Sequence, residues 1–161
     1  MKLEKAIFAC GCFWGAQYQF EHAKGVVRST VGYIGGHKEH PAYEEVKAHT
    51  TGHAEATLVE FDAEQTSFTE LCKLFFEIHD PAQTNGQGPD IGPQYRSMIF
   101  YMDEKQKSEA EEVIELLRSK GHRVNTKLRP AEKFWEAEDY HQHYYDKTGG
   151  EPYCHIRVKK F

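Results

Sequence analysis

Strand-type and helix-type hydrophobic patterning succeed one another along this chain in the order β-α-β-β-α-β, and few architectures bury all six segments at once. Lys5 to Ala9 reads as a strand running into a helix over Cys12 to His22, which Gly25 ends. Val26 to Ile34 is rich in β-branched and aromatic residues, a second strand stopped by Gly35-Gly36. Glu55 to Phe61 alternates apolar with polar positions as a third. Ser67-x-x-Glu70 has the spacing of a capping box and opens a helix whose apolar face is Phe68, Leu71, Cys72, Phe75 and Phe76, closed by Pro81. Ser97 to Met102 is a fourth strand. Asp103 to Lys120 then carries Ala110, Val113, Ile114 and Leu117 at helical spacing, with Gly121 after its end.

This order predicts an α/β fold of the α+β two-layer kind: a split β-α-β, ferredoxin-like sheet with helices packed on it. Beyond the sixth segment, Arg123 to Leu128 reads as a further strand and Glu136 to Tyr145 as a short helix. Pro41 to Thr51 is irregular or a short helix. Ala82 to Gln94 is a Gly/Pro/Asn/Gln-rich loop, long enough to suggest function rather than connection alone. At 161 residues the chain suits a single catalytic domain, 1–161, with 148–161 as a loose, mobile C-terminal tail.

A net charge of −5, with both signs mixed along the chain, argues against nucleic acid or a membrane surface as the partner. The apolar run Ala6 to Cys10 is too short for a signal-peptide core, and no segment approaches the length of a membrane span. A reducing cytoplasm is the expected compartment. There the four cysteines, Cys10, Cys12, Cys72 and Cys154, read as catalytic, metal-bound or free thiols rather than a disulfide framework.

The stretch Phe8-Ala-Cys-Gly-Cys-Phe-Trp-Gly-Ala16 puts Cys12 where the first strand turns into the first helix. Unpaired backbone N–H groups and the helix dipole at such a mouth favour a thiolate. Gly11 and Gly15 allow a tight turn and leave room beside the sulfur, and Phe13 and Trp14 supply apolar walls. An alternative from the same residues is a small buried cysteine beside core aromatics.

Gly-Cys-Phe-Trp-Gly at 11–15 resembles the signature of the methionine sulfoxide reductase A family. Further blocks are similar in the family's order: His40-Pro-Ala-Tyr-Glu-Glu-Val46, Thr51-Gly-His-Ala-Glu55, His79-Asp-Pro81, Gln94-Tyr-Arg-Ser97, Phe134-Trp135 and Ala137-Glu-Asp-Tyr-His-Gln142. The resemblance implies reduction of methionine S-sulfoxide, free or in peptides and proteins, by a monomer with no metal or organic cofactor. Cys12 would attack the sulfoxide sulfur, Phe13 and Trp14 would bind its methyl group, and Glu55 would protonate its oxygen. Tyr43 and Tyr95 would help hold that oxygen, and Asp90 would support the site. The resulting sulfenic acid at Cys12 would condense with Cys154, and thioredoxin would reduce the disulfide.

The chain departs from the family at Cys10, where glycine is common, and at Lys47, where some members carry another cysteine. Cys10 reads as a small buried residue at a strand end, with a resolving role as the alternative, and Cys72 as core. Two other functions remain open on the residues alone. A cysteine hydrolase or acyltransferase would need a base such as His53 or His79 at the thiol. A metal-binding module could draw on His141-x-His143, His49-x3-His53 or Cys10-x-Cys12.

Overall fold

A computed structural model describes residues 1–150, 152 and 155–161. In chain order the elements are β1 (Leu3–Cys10), α1 (Phe13–Glu21), β2 (Val26–Ile34), α2 (Tyr43–Lys47) and β3 (Ala54–Asp62). They continue with α3 (Phe68–Glu77), β4 (Gly86–Gln87), β5 (Asp90–Ile91), β6 (Ser97–Tyr101), α4 (Glu104–Ser119), β7 (Lys127–Pro130), β8 (Trp135–Glu136) and α5 (Tyr144–Thr148).

Six of these strands form one sheet in the order β7-β6-β1-β3-β2-β8, with only β6 and β7 parallel. Its inner four, β6-β1-β3-β2, are the split β-α-β arrangement expected from the sequence. Residues alternate faces along β1. Ala6, Phe8 and Cys10 join the helix-side core with Phe20, Leu71, Phe75, Ile114 and Leu117, while Ile7 and Ala9 pack on the opposite face with Ile34, Ala56 and Phe100. Both faces of β1 are therefore covered, which is why its sequence is nearly continuous in apolar residues.

Local signals set the helix starts. Ser67 Oγ accepts the Glu70 N–H at 3.1 Å and Asp103 Oδ1 accepts the Gln106 N–H at 2.8 Å, each satisfying one of the donors a helix leaves unpaired.

Three expectations shift. The strand expected from Arg123 to Leu128 is β7, which starts at Lys127. The helix expected over Glu136 to Tyr145 is instead β8, a 3-10 turn at Asp139–His141 and then α5. His143, at φ 54°, interrupts any continuous helix there. The side chain of Gln142 also takes the place of a strand: its Oε1 accepts the Val31 N–H and its Nε2 donates to the Val31 carbonyl, both at 2.9 Å. This holds the segment against the edge of β2.

The third shift concerns the tail. Where a loose tail is expected over 148–161, His155 is buried and Phe161 packs on the core. Arg157 pairs with buried Glu77 at 2.8 Å, the Val158 N–H donates to the Glu77 carbonyl at 2.8 Å, and Lys160 Nζ donates to the His79 carbonyl at 2.9 Å. Charge and hydrogen bonding to the end of α3 supply what apolar patterning did not announce.

No helix among the described residues is long and apolar enough to cross a membrane.

Candidate active site

Cys12 sits at the turn between β1 and α1. The reversal depends on Gly11 at φ +100°, a conformation that favours glycine, and a Cβ there would come within 2.8 Å of the Gln87 side chain. Cys12 is the N-cap residue of α1 and its carbonyl accepts the Ala16 N–H at 3.3 Å. The sulfur-bearing residue is thus at the positive end of a helix dipole, as the sequence predicts, and it is 8% exposed.

The next donor in that helix mouth, the Phe13 N–H, goes to Glu55 Oε1 at 3.2 Å. Glu55 reaches it from β3 and is buried, with Oε2 lacking a hydrogen-bond partner among the described residues. Burial pushes its pKa up to about 8; the Phe13 N–H pulls the other way, and the charge of Asp90 adds to the rise. The protonated form of Glu55 is therefore favoured at neutral pH. Because Oε1 is committed as an acceptor, the proton belongs on Oε2, the oxygen with nothing yet to donate to.

Tyr43, the first residue of α2, and Tyr95, from the 3-10 turn Pro93–Tyr95, both lie close enough to Glu55 and Cys12 to feel their charges. Burial, then the charges of Glu55 and Cys12, push the Tyr43 hydroxyl up to about 12. Burial and the charges of Glu55, Tyr43, Cys12 and Asp90 hold Tyr95 well above the usual phenol value. Both hydroxyls keep their protons at neutral pH and can donate. Asp90, in the β4–β5 hairpin that the long loop forms, lies close enough for Glu55 and Tyr95 to feel its charge. Cys12, Glu55, Tyr43, Tyr95 and Asp90 are therefore brought together.

Phe13 is buried, with Tyr33 and Tyr43 rings at 5.7 and 6.5 Å. Trp14 lies flat on Tyr144, ring centres 3.8 Å apart and planes within 10°. Its indole N–H donates to His141 Nδ1 at 2.9 Å, which places the remaining imidazole proton on Nε2. His141 is itself buried among Phe13, Tyr43 and Tyr140, and Glu138 accepts both the Tyr33 hydroxyl at 3.0 Å and the Tyr43 N–H at 3.2 Å.

Reasoning from sequence missed His141, Glu138 and Tyr144 as members of this wall. The block Ala137–Gln142 flagged two of them, but nothing in its spacing says that it folds back over α1 from so far along the chain. Gly15 is also revised. Room beside the sulfur is not what it provides, because a Cβ at that position would overlap the ring of His155.

Among the described residues, the histidines weighed as bases or paired ligands are engaged elsewhere, although His143 does gather with Glu21 and Asp146 in a group whose ligand atoms lie within 4.8 Å of one another. His79 is buried, bonded to the Phe75 carbonyl and to Ser97 Oγ, and burial pushes its pKa down to about 3. Both ring nitrogens of His53 lie on backbone groups, the Gly36 N–H at 3.0 Å and the Lys38 carbonyl at 2.7 Å. Neither is placed as a base at the thiol. His141 turns inward to Trp14 while His143 meets Glu21 at 2.5 Å, so the pair does not converge on one ion. Cys10 and Cys72 are buried in the helix-side core. Cys154 lies outside the described residues.

Comparison with known proteins gives the family and the fold. The profile of a family described as peptide methionine sulfoxide reductase matches residues 4–161. Relatives described as peptide methionine sulfoxide reductase MsrA include one from Sulfolobus acidocaldarius, 48% identical over 99% of this chain and 93% of its own. Another, from Acinetobacter baumannii, is 44% identical over 97% of this chain and 90% of its own. Among solved structures, Mxr1 from Saccharomyces cerevisiae in reduced form superimposes with a TM-score of 0.91 at 34% identity, covering 97% of this chain and 92% of that one.

Proposed function

The chain belongs to the peptide methionine sulfoxide reductase family, and from that premise we propose that Cys12, Glu55 and the two tyrosines carry out its thiol-dependent reduction of methionine sulfoxide. The observation that carries the assignment is Glu55: a buried carboxylic acid, protonated at neutral pH, whose unpartnered oxygen shares a helix mouth with the cysteine.

The substrate offers an electrophilic sulfur, a strongly accepting oxygen and a methyl group. Phe13 and Trp14 take the methyl. Tyr43, Tyr95 and the Glu55 proton take the oxygen, drawing electrons from sulfur as the Cys12 thiolate attacks it. The S–O bond breaks as the Cys12–substrate S–S bond forms, and the oxygen, carrying the Glu55 proton, departs as hydroxide. Its addition to the Cys12 sulfur breaks the S–S bond, so methionine leaves with its lone pair restored and the oxygen ends on Cys12 as sulfenic acid. A charged Glu55 would repel the thiolate; the neutral acid does not. Burial keeps Glu55 protonated, and Asp90 acts on this set by adding its charge in the same direction.

Cys154 then resolves the sulfenic acid, and a dithiol protein such as thioredoxin reduces the disulfide. Residues 1–161 act as one catalytic domain, as a monomer, and the cytoplasm is the compartment in which such a dithiol would be held reduced.

The test uses purified protein, dithiothreitol and peptides carrying resolved sulfoxide epimers. The S epimer is converted and the R epimer is not; the reverse result would overturn the epimer assignment. With thioredoxin as the only reductant, Cys154→Ser is expected to release about one methionine per enzyme and then stall. Continued cycling at the parent rate would remove Cys154 from the resolving role.

A further inference from the structure

We propose that His155 is the positioning residue for the second half of the cycle, anchoring the chain next to the resolving thiol on the loop that bears the nucleophile. His155 is fully buried although it follows Cys154 directly in the chain. Its Nε2 lies 2.7 Å from the Cys10 carbonyl oxygen, which can only accept, so Nε2 carries the proton. The Cys10 carbonyl is separated from Cys12 by one residue. Burial pushes the His155 pKa down, leaving a neutral ring.

The seat for this ring is built from the two glycines of the motif. A Cβ at Gly15 would overlap His155 Nδ1, and one at Gly11 would lie 3.6 Å from Nε2. Gln19, one turn beyond Gly15 on α1, donates to the His155 carbonyl at 2.5 Å. Helix, turn and strand end all close on one side chain.

The residues after His155 are fixed as well. Lys160 N–H donates to Glu77 Oε2 at 2.9 Å and Arg157 Nε to Glu77 Oε1 at 2.9 Å. The chain beyond Cys154 is therefore not a free end that must search for the site. Adjacent Cα atoms are about 3.8 Å apart, so an anchor at His155 shortens the stretch of chain through which the preceding thiol would have to search. A disulfide needs Cα atoms within about 7 Å, and confinement of this kind raises the effective concentration of one thiol at the other.

In the step concerned, the Cys154 sulfur attacks the Cys12 sulfenic sulfur. The S–S bond forms as the S–O bond breaks, and the hydroxyl departs as water with the Cys154 proton. The oxidising equivalent comes from the sulfoxide already reduced, so no further oxidant is required.

This assignment rests on Cys154 being the resolving thiol, and the experiment separates the two. Wild type, His155→Ala, His155→Gln and Cys154→Ser are each mixed with excess peptide methionine S-sulfoxide without reductant. Methionine release gives the first step, dimedone labelling of Cys12 gives sulfenic acid, and mass spectrometry gives the disulfide. His155→Ala is expected to release its first methionine within about twofold of the wild-type rate but form disulfide about tenfold or more slowly, with sulfenic acid accumulating. His155→Gln, whose amide can still donate to the Cys10 carbonyl, recovers part of that rate. Disulfide formation in His155→Ala as fast as in wild type would overturn the proposal. So would loss of the first step in both variants, which would make His155 a support for the nucleophile alone. If Cys154→Ser fails to accumulate sulfenic acid, the resolving role itself falls, and this proposal with it.

Discussion

Replacing Cys12 with serine is expected to reduce methionine release to background, a loss of about four orders of magnitude or more, even with excess dithiothreitol. The serine hydroxyl fits the volume but is not ionised by a helix mouth, and it has no counterpart to sulfenic acid with which to accept the substrate oxygen. Loss should therefore appear in the first turnover as well as in cycling. Retention of a measurable burst of methionine in Cys12→Ser would mean that another thiol is the nucleophile.

Glu55→Gln is the second large effect. Glutamine keeps the shape, can still accept the Phe13 N–H, and is neutral like the protonated acid, so folding and thiolate formation should be preserved. It lacks the transferable proton. Loss of general-acid action is expected to lower kcat/KM by about 10²- to 10⁴-fold, or about 3–5 kcal/mol of transition-state stabilisation. The same group fixes the alkaline limb of the wild-type profile. Its active form is the protonated one, so activity falls as pH rises through about 8, where the acid is titrated. Glu55→Gln should lose that limb, because the group that titrates is gone. An unchanged alkaline limb in the variant would assign it to a different group.

Much of this was legible in the chain because the signals were local. β2 at Val26–Ile34 matches its β-branched run, and the starts of α3 and α4 follow from Ser67 and Asp103 acting as caps. Cys12 at the helix mouth followed from a strand pattern meeting a helix pattern across a glycine. What escaped was non-local. The wall contributed by Glu138, His141 and Tyr144 lies more than a hundred residues from the helix it covers, and its short segments carry no periodicity. The burial of Glu55 was equally invisible: a glutamate on a strand reads as solvated until its neighbours are known. The seated tail depends on Glu77, a buried acid on a helix face that composition would have placed in water.

The amide of Gln142 has one more implication. The aromatic wall that shapes the methyl hollow is moored to β2 at Val31, through the Gln142 amide and the Ala137 N–H, and to α1 through the Trp14–His141 and Gln17–His143 hydrogen bonds. Recognition and foldedness therefore share these moorings, and a change at Gln142 is expected to register both in discrimination between substrates and in stability.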